Sequence, residues 1–64
     1  MEIAAETNRI QEFVAKGNYH AAMNLAISAM NECRRENDPA GVDHFLATIK
    51  DIANTMVEEF GSQD

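Results

Sequence analysis

Two short breaks divide this sequence into three segments, and they constrain the fold more than any other feature. The first break is Gly17 followed by Asn18, which suits the end of one helix and the N-cap of the next. The second is Asp38 followed by Pro39, because aspartate is a favoured N-cap and proline is tolerated at the first helical position. Since both connections are short, we expect consecutive helices to lie antiparallel.

The segments on either side of these breaks carry apolar residues at helical spacing, with no strand-like alternation. They predict helices over about residues 2–16, 19–36 and 39–60. The chain is therefore expected to be all-α, as a three-helix antiparallel bundle or as a helical hairpin plus one helix. Residues 1–60 are expected to form a single helical domain, and residues 61–64 a frayed C-terminal tail.

The third helix has the most continuous apolar face and is the longest. At the helical rise its residues span about 33 Å, so one end is expected to project or to be covered by another chain. The apolar face consists of Val42, Phe45, Leu46, Ile49, Ile52, Ala53, Met56, Val57 and Phe60.

The second helix is apolar or small over most of its circumference, with one narrow polar stripe. Large side chains form one side of it, namely Tyr19, Met23, Ile27 and Met30. Small side chains form a neighbouring strip, namely Ala22, Ala26, Ala29 and Cys33. Such a helix needs cover on two sides, and small residues let a neighbouring helix approach closely. We predict that both sets form a helix-packing or oligomer surface.

The length of the chain, 64 residues, limits how much core it can build. Folding is expected to bury roughly 6000 Å², and the apolar share of that area stabilises the fold by about 90 kcal/mol. Ordering the chain costs roughly 95 kcal/mol, so the two terms nearly cancel. One cysteine cannot form an internal disulfide, and therefore we expect self-association to complete the fold.

The charge of the chain is uneven. Its formal net charge is −6, and residues 38–64 carry six acids against one base. The simpler interpretation of the acids on the third helix is a solvated, self-repelling surface, and the alternative is a docking face for a basic protein. The candidate acidic face consists of Asp43, Asp51, Glu58 and Glu59.

Several classes of function are not expected. No apolar run is long enough to span a membrane, and clustered bases for nucleic-acid binding are missing. His20, His44 and Cys33 lack zinc-type spacing, so we expect no metal, no cofactor and no catalytic residue.

Without a basic segment and apolar run at the start, and with a single cysteine, a cytoplasmic protein is expected. A chain of this scale is expected to be a complete small gene product.

Residues 16–30 resemble the turn and second helix of a tetratricopeptide repeat. That family places a glycine, then an aromatic residue two positions on, then an alanine three positions after the aromatic residue and a second alanine seven positions after the first. These positions correspond to Gly17, Tyr19, Ala22 and Ala29. The resemblance covers about a quarter of the chain and has no second copy here, whereas such solenoids stack several repeats. It implies a role in protein binding.

Taken together, these features predict a small acidic cytoplasmic interaction protein with a regulatory or adaptor role, and not an enzyme. Its expected partners are a second copy of itself, as a homodimer, and an unidentified protein, for which a basic protein is the candidate. The alternative is an acidic inhibitor that occupies the basic surface of a nucleic-acid-binding protein. Direct binding to nucleic acid and binding to a membrane are not expected.

Overall fold

Three helices make up the computed structural model, which describes residues 1–61. They are α1 (Ile3–Ala15), α2 (Tyr19–Arg35) and α3 (Pro39–Phe60). The all-α, three-helix prediction is confirmed, and no strand occurs within the described residues. The observed ends differ from the predicted ones by at most one residue. Residues 62–64 of the expected C-terminal tail lie outside the described part of the chain.

The turn between α1 and α2 ends one helix and starts the next within three residues. Gly17, at a φ of 77°, donates its backbone N–H to the carbonyl of Val14 at 2.9 Å. The N–H of Asn18 donates to the carbonyl of Phe13 at 2.9 Å, which completes a Schellman motif. The Asn18 side chain then accepts the N–H of Ala21 at 3.3 Å, and so caps α2 as predicted.

The turn between α2 and α3 repeats this geometry. Asn37 donates its N–H to the carbonyl of Arg34 at 3.1 Å, and Asp38 donates to the carbonyl of Cys33 at 2.9 Å. The Asp38 side chain accepts the N–H of Gly41 at 3.1 Å and caps α3. Asn37 has a φ of 57°, a conformation that asparagine tolerates better than other non-glycine residues.

The two turns give a matched prediction about backbone strain. Gly17→Ala is expected to lower the free energy of unfolding by about 1 kcal/mol, because a Cβ is disfavoured at positive φ. Nothing lies within 4 Å of a Cβ built at Gly17, so the loss reflects strain alone. Asn37→Gly is expected to raise stability or leave it unchanged. Urea unfolding followed by circular dichroism measures the free energy of unfolding of both variants. Equal effects of the two changes would contradict the prediction that a Cβ is disfavoured at these two positive-φ positions.

The core lies where α2 meets its two neighbours. Its apolar members are Ile10, Ala22, Ala26, Ala29, Cys33, Phe45 and Ile52. The small strip of α2 is thus fully buried, which is what allows the larger side chains of α1 and α3 to pack closely against it. Thr48 of α3 is also buried, and its hydroxyl donates to the carbonyl of His44 at 3.0 Å.

The helices form a flattened arrangement. The principal extents are 38, 23 and 13 Å, and the Cα radius of gyration is 12.0 Å. A compact domain of this length has a radius of gyration of about 11 Å. A chain this thin leaves wide helix surfaces without a neighbouring helix, and one of these surfaces is apolar.

Candidate functional site

Helix α3 carries two neighbouring apolar stripes. One faces the core and contains Gly41, Phe45, Thr48 and Ile52, all of which are buried. The other runs the length of the helix in alternating steps of four and three residues. Its members are Val42, Leu46, Ile49, Ala53, Met56 and Phe60, with Val57 beside them. That spacing is typical of the seam by which one helix packs against another.

The second stripe is only partly covered. Leu46 is 41% exposed, Val57 is 51% exposed and Phe60 is 72% exposed. On the adjoining side of α2, Ile27 is 38% exposed, while Met23 and Met30 are half-buried. We call this surface the open face. It comprises Met23, Ile27 and Met30 of α2 together with the second stripe of α3, including Val57.

Helix α1 lies on the other side of the α2–α3 pair. Its residues Arg9 and Phe13 line a hollow together with Ala21 and Leu25 of α2. By helical spacing, Ala21 and Leu25 lie on the edge of α2 opposite to Met23 and Ile27. Within the described residues, therefore, no third helix covers the open face.

The open face has a shallow hollow at each end. One, of about 420 Å³, is lined almost entirely by apolar groups: Met23, Ala53, Met56, Val57, Phe60 and Gly61. The ring of Phe60, which lines this hollow, packs edge to face against the ring of Tyr19, with centroids 6.0 Å apart. The other, of about 320 Å³, lies at the turn between α2 and α3. It is lined by Arg34, Asn37, Asp38, Pro39 and Val42.

The predicted packing residues of α2 separate into two groups. The small members Ala22, Ala26, Ala29 and Cys33 are buried between helices of the same chain. Of the large members, Tyr19, Met23 and Met30 are half-buried and Ile27 is exposed. The small strip thus packs within the chain, and only the large side borders the open face.

The predicted acidic residues are all exposed, but the fold does not gather them. Asp43 and Asp51 are about 12 Å apart along the axis, and Glu58 lies about 10 Å further on. No base lies within ion-pair distance of any of the four in the described part of the chain. Spread in this way, they form a diffuse negative field and not one compact docking site.

Cys33 is a structural thiol. It is 1% exposed, and its Sγ lies 4.0 Å from the Sδ of Met1. Burial raises the pKa of this thiol, and the carboxylates of Asp38, Glu36 and Glu32 raise it further. A protonated, buried thiol is a poor nucleophile.

The two histidines differ in their surroundings. Both are exposed, and the Nε2 of His44 lies 2.9 Å from the Oγ1 of Thr7 on α1. Since that hydroxyl donates to the carbonyl of Ile3 at 2.8 Å, His44 is the donor in this contact. The His44 ring also packs edge to face against Phe45. His44 thereby joins α1 to α3.

The sequence did not predict three contacts: His44 with Thr7, the Sγ of Cys33 against Gly41, where a Cβ would lie 2.6 Å from it, and Met1 with Glu36. The Met1 ammonium group lies 3.7 Å from a carboxylate oxygen of Glu36. None of these contacts has a local signal, because each joins residues that the chain separates widely or depends on the distance between helices. Among the described residues, no cluster of histidine, cysteine and acidic side chains is arranged to hold a metal ion.

The comparisons with known proteins add no relative. No protein-family model, curated protein or solved structure matches this sequence. No helix within the described residues is both long and apolar enough to cross a membrane.

Proposed function

We propose that this chain is a small acidic protein–protein interaction module that associates with a second copy of itself through the open face. The observation that carries the proposal is the partly exposed seam of α3, where Leu46, Val57 and Phe60 lie along one side of one helix. In this view the protein acts as an adaptor or regulator, and it is not an enzyme.

Self-association is favoured energetically because a chain of this size builds only a small hydrophobic core. Small domains without a disulfide or metal commonly gain stability by association. The open face offers apolar area in one continuous strip along α2 and α3. Contiguous exposed apolar surface of this kind is typical of interaction sites, whereas isolated exposed apolar residues are not. The half-buried Met23, Met30 and Met56 add adaptable contact surface.

Two adjacent residues of α3 give a matched test. Leu46 lies on the open face, and Ala47 is exposed outside it. Leu46→Glu is expected to convert a dimer at micromolar concentration into a monomer, because a carboxylate would be desolvated at the centre of the interface. Ala47→Glu adds the same charge to the same helix and is expected to leave the dimer intact. Sedimentation equilibrium measures the molar mass of each.

Circular dichroism at low concentration checks that both variants keep their helices. Two results would contradict the proposal: a monomeric wild-type protein up to hundreds of micromolar, or dimers of unchanged affinity for Leu46→Glu. Concentration-dependent melting of the wild-type protein supports it, since a ligand that binds only the folded state raises the melting temperature by mass action.

The acidic inhibitor remains the alternative. It is supported by the exposure of Asp43, Asp51 and Glu58, and it predicts binding to a basic protein that weakens steeply with salt. Dimerisation through the open face, in contrast, is expected to persist or strengthen with salt, because apolar burial drives it and salt screens the repulsion between two chains of net charge −6. The salt dependence of binding therefore separates the two functions.

The resemblance to a tetratricopeptide repeat points to the same class as the leading proposal. It is supported by the burial of Ala22 and Ala29 and by the positive φ of Gly17. A cytoplasmic location belongs to this proposal as well, and the single cysteine, held as a buried thiol, suits a reducing compartment.

A further inference from the structure

We infer that residues 1–17 form a strap that opens as one unit while α2 and α3 stay packed, and that this opening exposes the otherwise buried thiol of Cys33. The strap consists of the two residues before α1, of α1 itself and of the two residues that follow it. The inference concerns the folded single chain, so it holds whether or not the chain associates with a second copy.

Helix α1 is the least buried of the three helices. Within α1, which the structure describes throughout, Ile10 is the single buried residue, whereas α2 and α3 each bury four. Ile3, Phe13 and Val14 are only partly buried against the core. Helix α1 packs mainly against α2, and α3 packs along the other side of α2. A segment with few buried apolar groups opens at a lower cost in free energy than the core does.

The boundary of the strap lies between Gly17 and Asn18. The backbone N–H groups of both residues donate back to carbonyls near the end of α1. Helix α2 does not depend on these bonds, because the Asn18 side chain caps it by accepting the N–H of Ala21. Helix α3 has its own cap in Asp38. A detached helix of 13 residues is marginal in water, so we expect α1 to melt when it leaves while α2 and α3 keep their caps.

A hydrogen bond at the surface links the strap to α3. The Nε2 of His44 donates to the Oγ1 of Thr7 at 2.9 Å, and His44 is exposed. The Thr7 hydroxyl in turn donates to the carbonyl of Ile3 at 2.8 Å. Water replaces an exposed hydrogen bond at a small net cost, so this link adds to the closed form without locking it.

The strap also covers Cys33. The Sδ of Met1 lies 4.0 Å from the Sγ of Cys33, which is 1% exposed. Helix α3 packs against the same thiol at Gly41, where a Cβ would lie 2.6 Å from the Sγ. The thiol is therefore enclosed partly by the strap and partly by α3. Opening of the strap removes the Met1 side chain and leaves the contact at Gly41 in place.

Alkylation of Cys33 by iodoacetamide, followed by the intact mass of the whole chain, measures the opening. When closing is faster than alkylation, the rate equals the opening equilibrium constant multiplied by the rate for the fully unfolded chain. We expect alkylation in native buffer to be at least about tenfold faster than the global unfolding constant allows. The logarithm of the rate should rise with urea less than half as steeply as global unfolding does, because the strap is a small part of the surface.

Two threonines give a matched pair of variants. Thr7 and Thr55 are both half-buried, and each hydroxyl donates to the carbonyl four residues earlier, at 2.8 and 2.9 Å. Thr7 additionally accepts from His44. Thr7→Val is expected to speed alkylation about fivefold, because the closed strap loses this link. Thr55→Val removes the same local bond outside the strap and is expected to change the rate by less than about twofold.

Met56→Ala tests whether α2 and α3 stay packed in the open form. Met56 packs against the core and lines a hollow together with Met23 of α2, so it contributes to the contact between the two helices. The change is expected to favour global unfolding about tenfold in a urea titration. It should leave the alkylation rate within about twofold of wild type, since the open form keeps the contact that Met56 makes.

Three results would each overturn the inference. Alkylation at the global unfolding rate, with the full urea dependence, would mean that no partial opening occurs. Acceleration by Met56→Ala as large as its effect on global unfolding would mean that α2 and α3 separate together with the strap. An unchanged rate for Thr7→Val would mean that fraying of Met1 alone exposes the thiol. The molar-mass test of self-association is independent of all three.

Discussion

Phe45→Ala is expected to lower the free energy of unfolding by about 3–5 kcal/mol, which is the cost of deleting a fully buried aromatic side chain. Phe45 is 0% exposed and belongs to the same core cluster as Ile10, Cys33 and Ile52. A domain of this length has a total stability of about 3–10 kcal/mol. The variant is therefore expected to lose a large share of the stability of the fold, and urea unfolding followed by circular dichroism measures the loss.

Phe60→Ala provides the matched control for this prediction. It makes the same chemical change on the same helix, but Phe60 is 72% exposed. Measured at a concentration below dimerisation, it is expected to cost less than about 1 kcal/mol of unfolding free energy, chiefly from the lost edge-to-face contact with Tyr19. Its main effect should instead be on self-association. Similar destabilisation by both variants would mean that the open face is part of the folding core.

Gly41→Ala is expected to destabilise the chain by about 1–3 kcal/mol, although alanine is the better helix former. A Cβ built at Gly41 would lie 2.6 Å from the Sγ of Cys33 and 2.7 Å from a carboxylate oxygen of Asp38. Both neighbours are held, because Cys33 is buried and Asp38 caps α3 through the Gly41 N–H. Relieving the overlap must therefore separate the helices or break the cap. Thermal and urea unfolding measure the effect.

Combining Gly41→Ala with Cys33→Ala tests the cause of this loss. Removing the Sγ opens space for the new Cβ, so the double variant is expected to lose less stability than the sum of the two single ones. Helix propensity alone predicts the opposite sign, a gain of about 1 kcal/mol from Gly41→Ala. A stabilised Gly41→Ala variant would show that the α2–α3 contact adjusts at little cost.

Local sequence features predicted the helices well, because the groups that begin and end a helix lie close together in the chain. Asp38 and Pro39 start α3 at the predicted residue, and the Asn18 side chain caps α2. The positive φ of Gly17 was likewise predicted. The corresponding role of Asn37 was missed, since asparagine is a weaker signal of a left-handed residue than glycine.

The candidate site was predicted in part. The large side of α2 was identified as a surface that needs cover, and Met23 and Ile27 do border the open face. The sequence could not show that the same face continues along α3 to Phe60. A broad apolar arc indicates that a helix is covered, but it does not say which half of the arc its own chain covers.

The sequence specified the number, the bounds and the caps of the helices, because hydrogen bonds and apolar spacing within each segment define them. The packing of whole helices set which stripe of α3 faces the core and brought His44 against Thr7 of α1. It likewise placed the Sγ of Cys33 against the site where Gly41 lacks a Cβ. Each of these contacts depends on the distances and angles between whole helices. The packing of the entire core determines those distances and angles, and no single segment does.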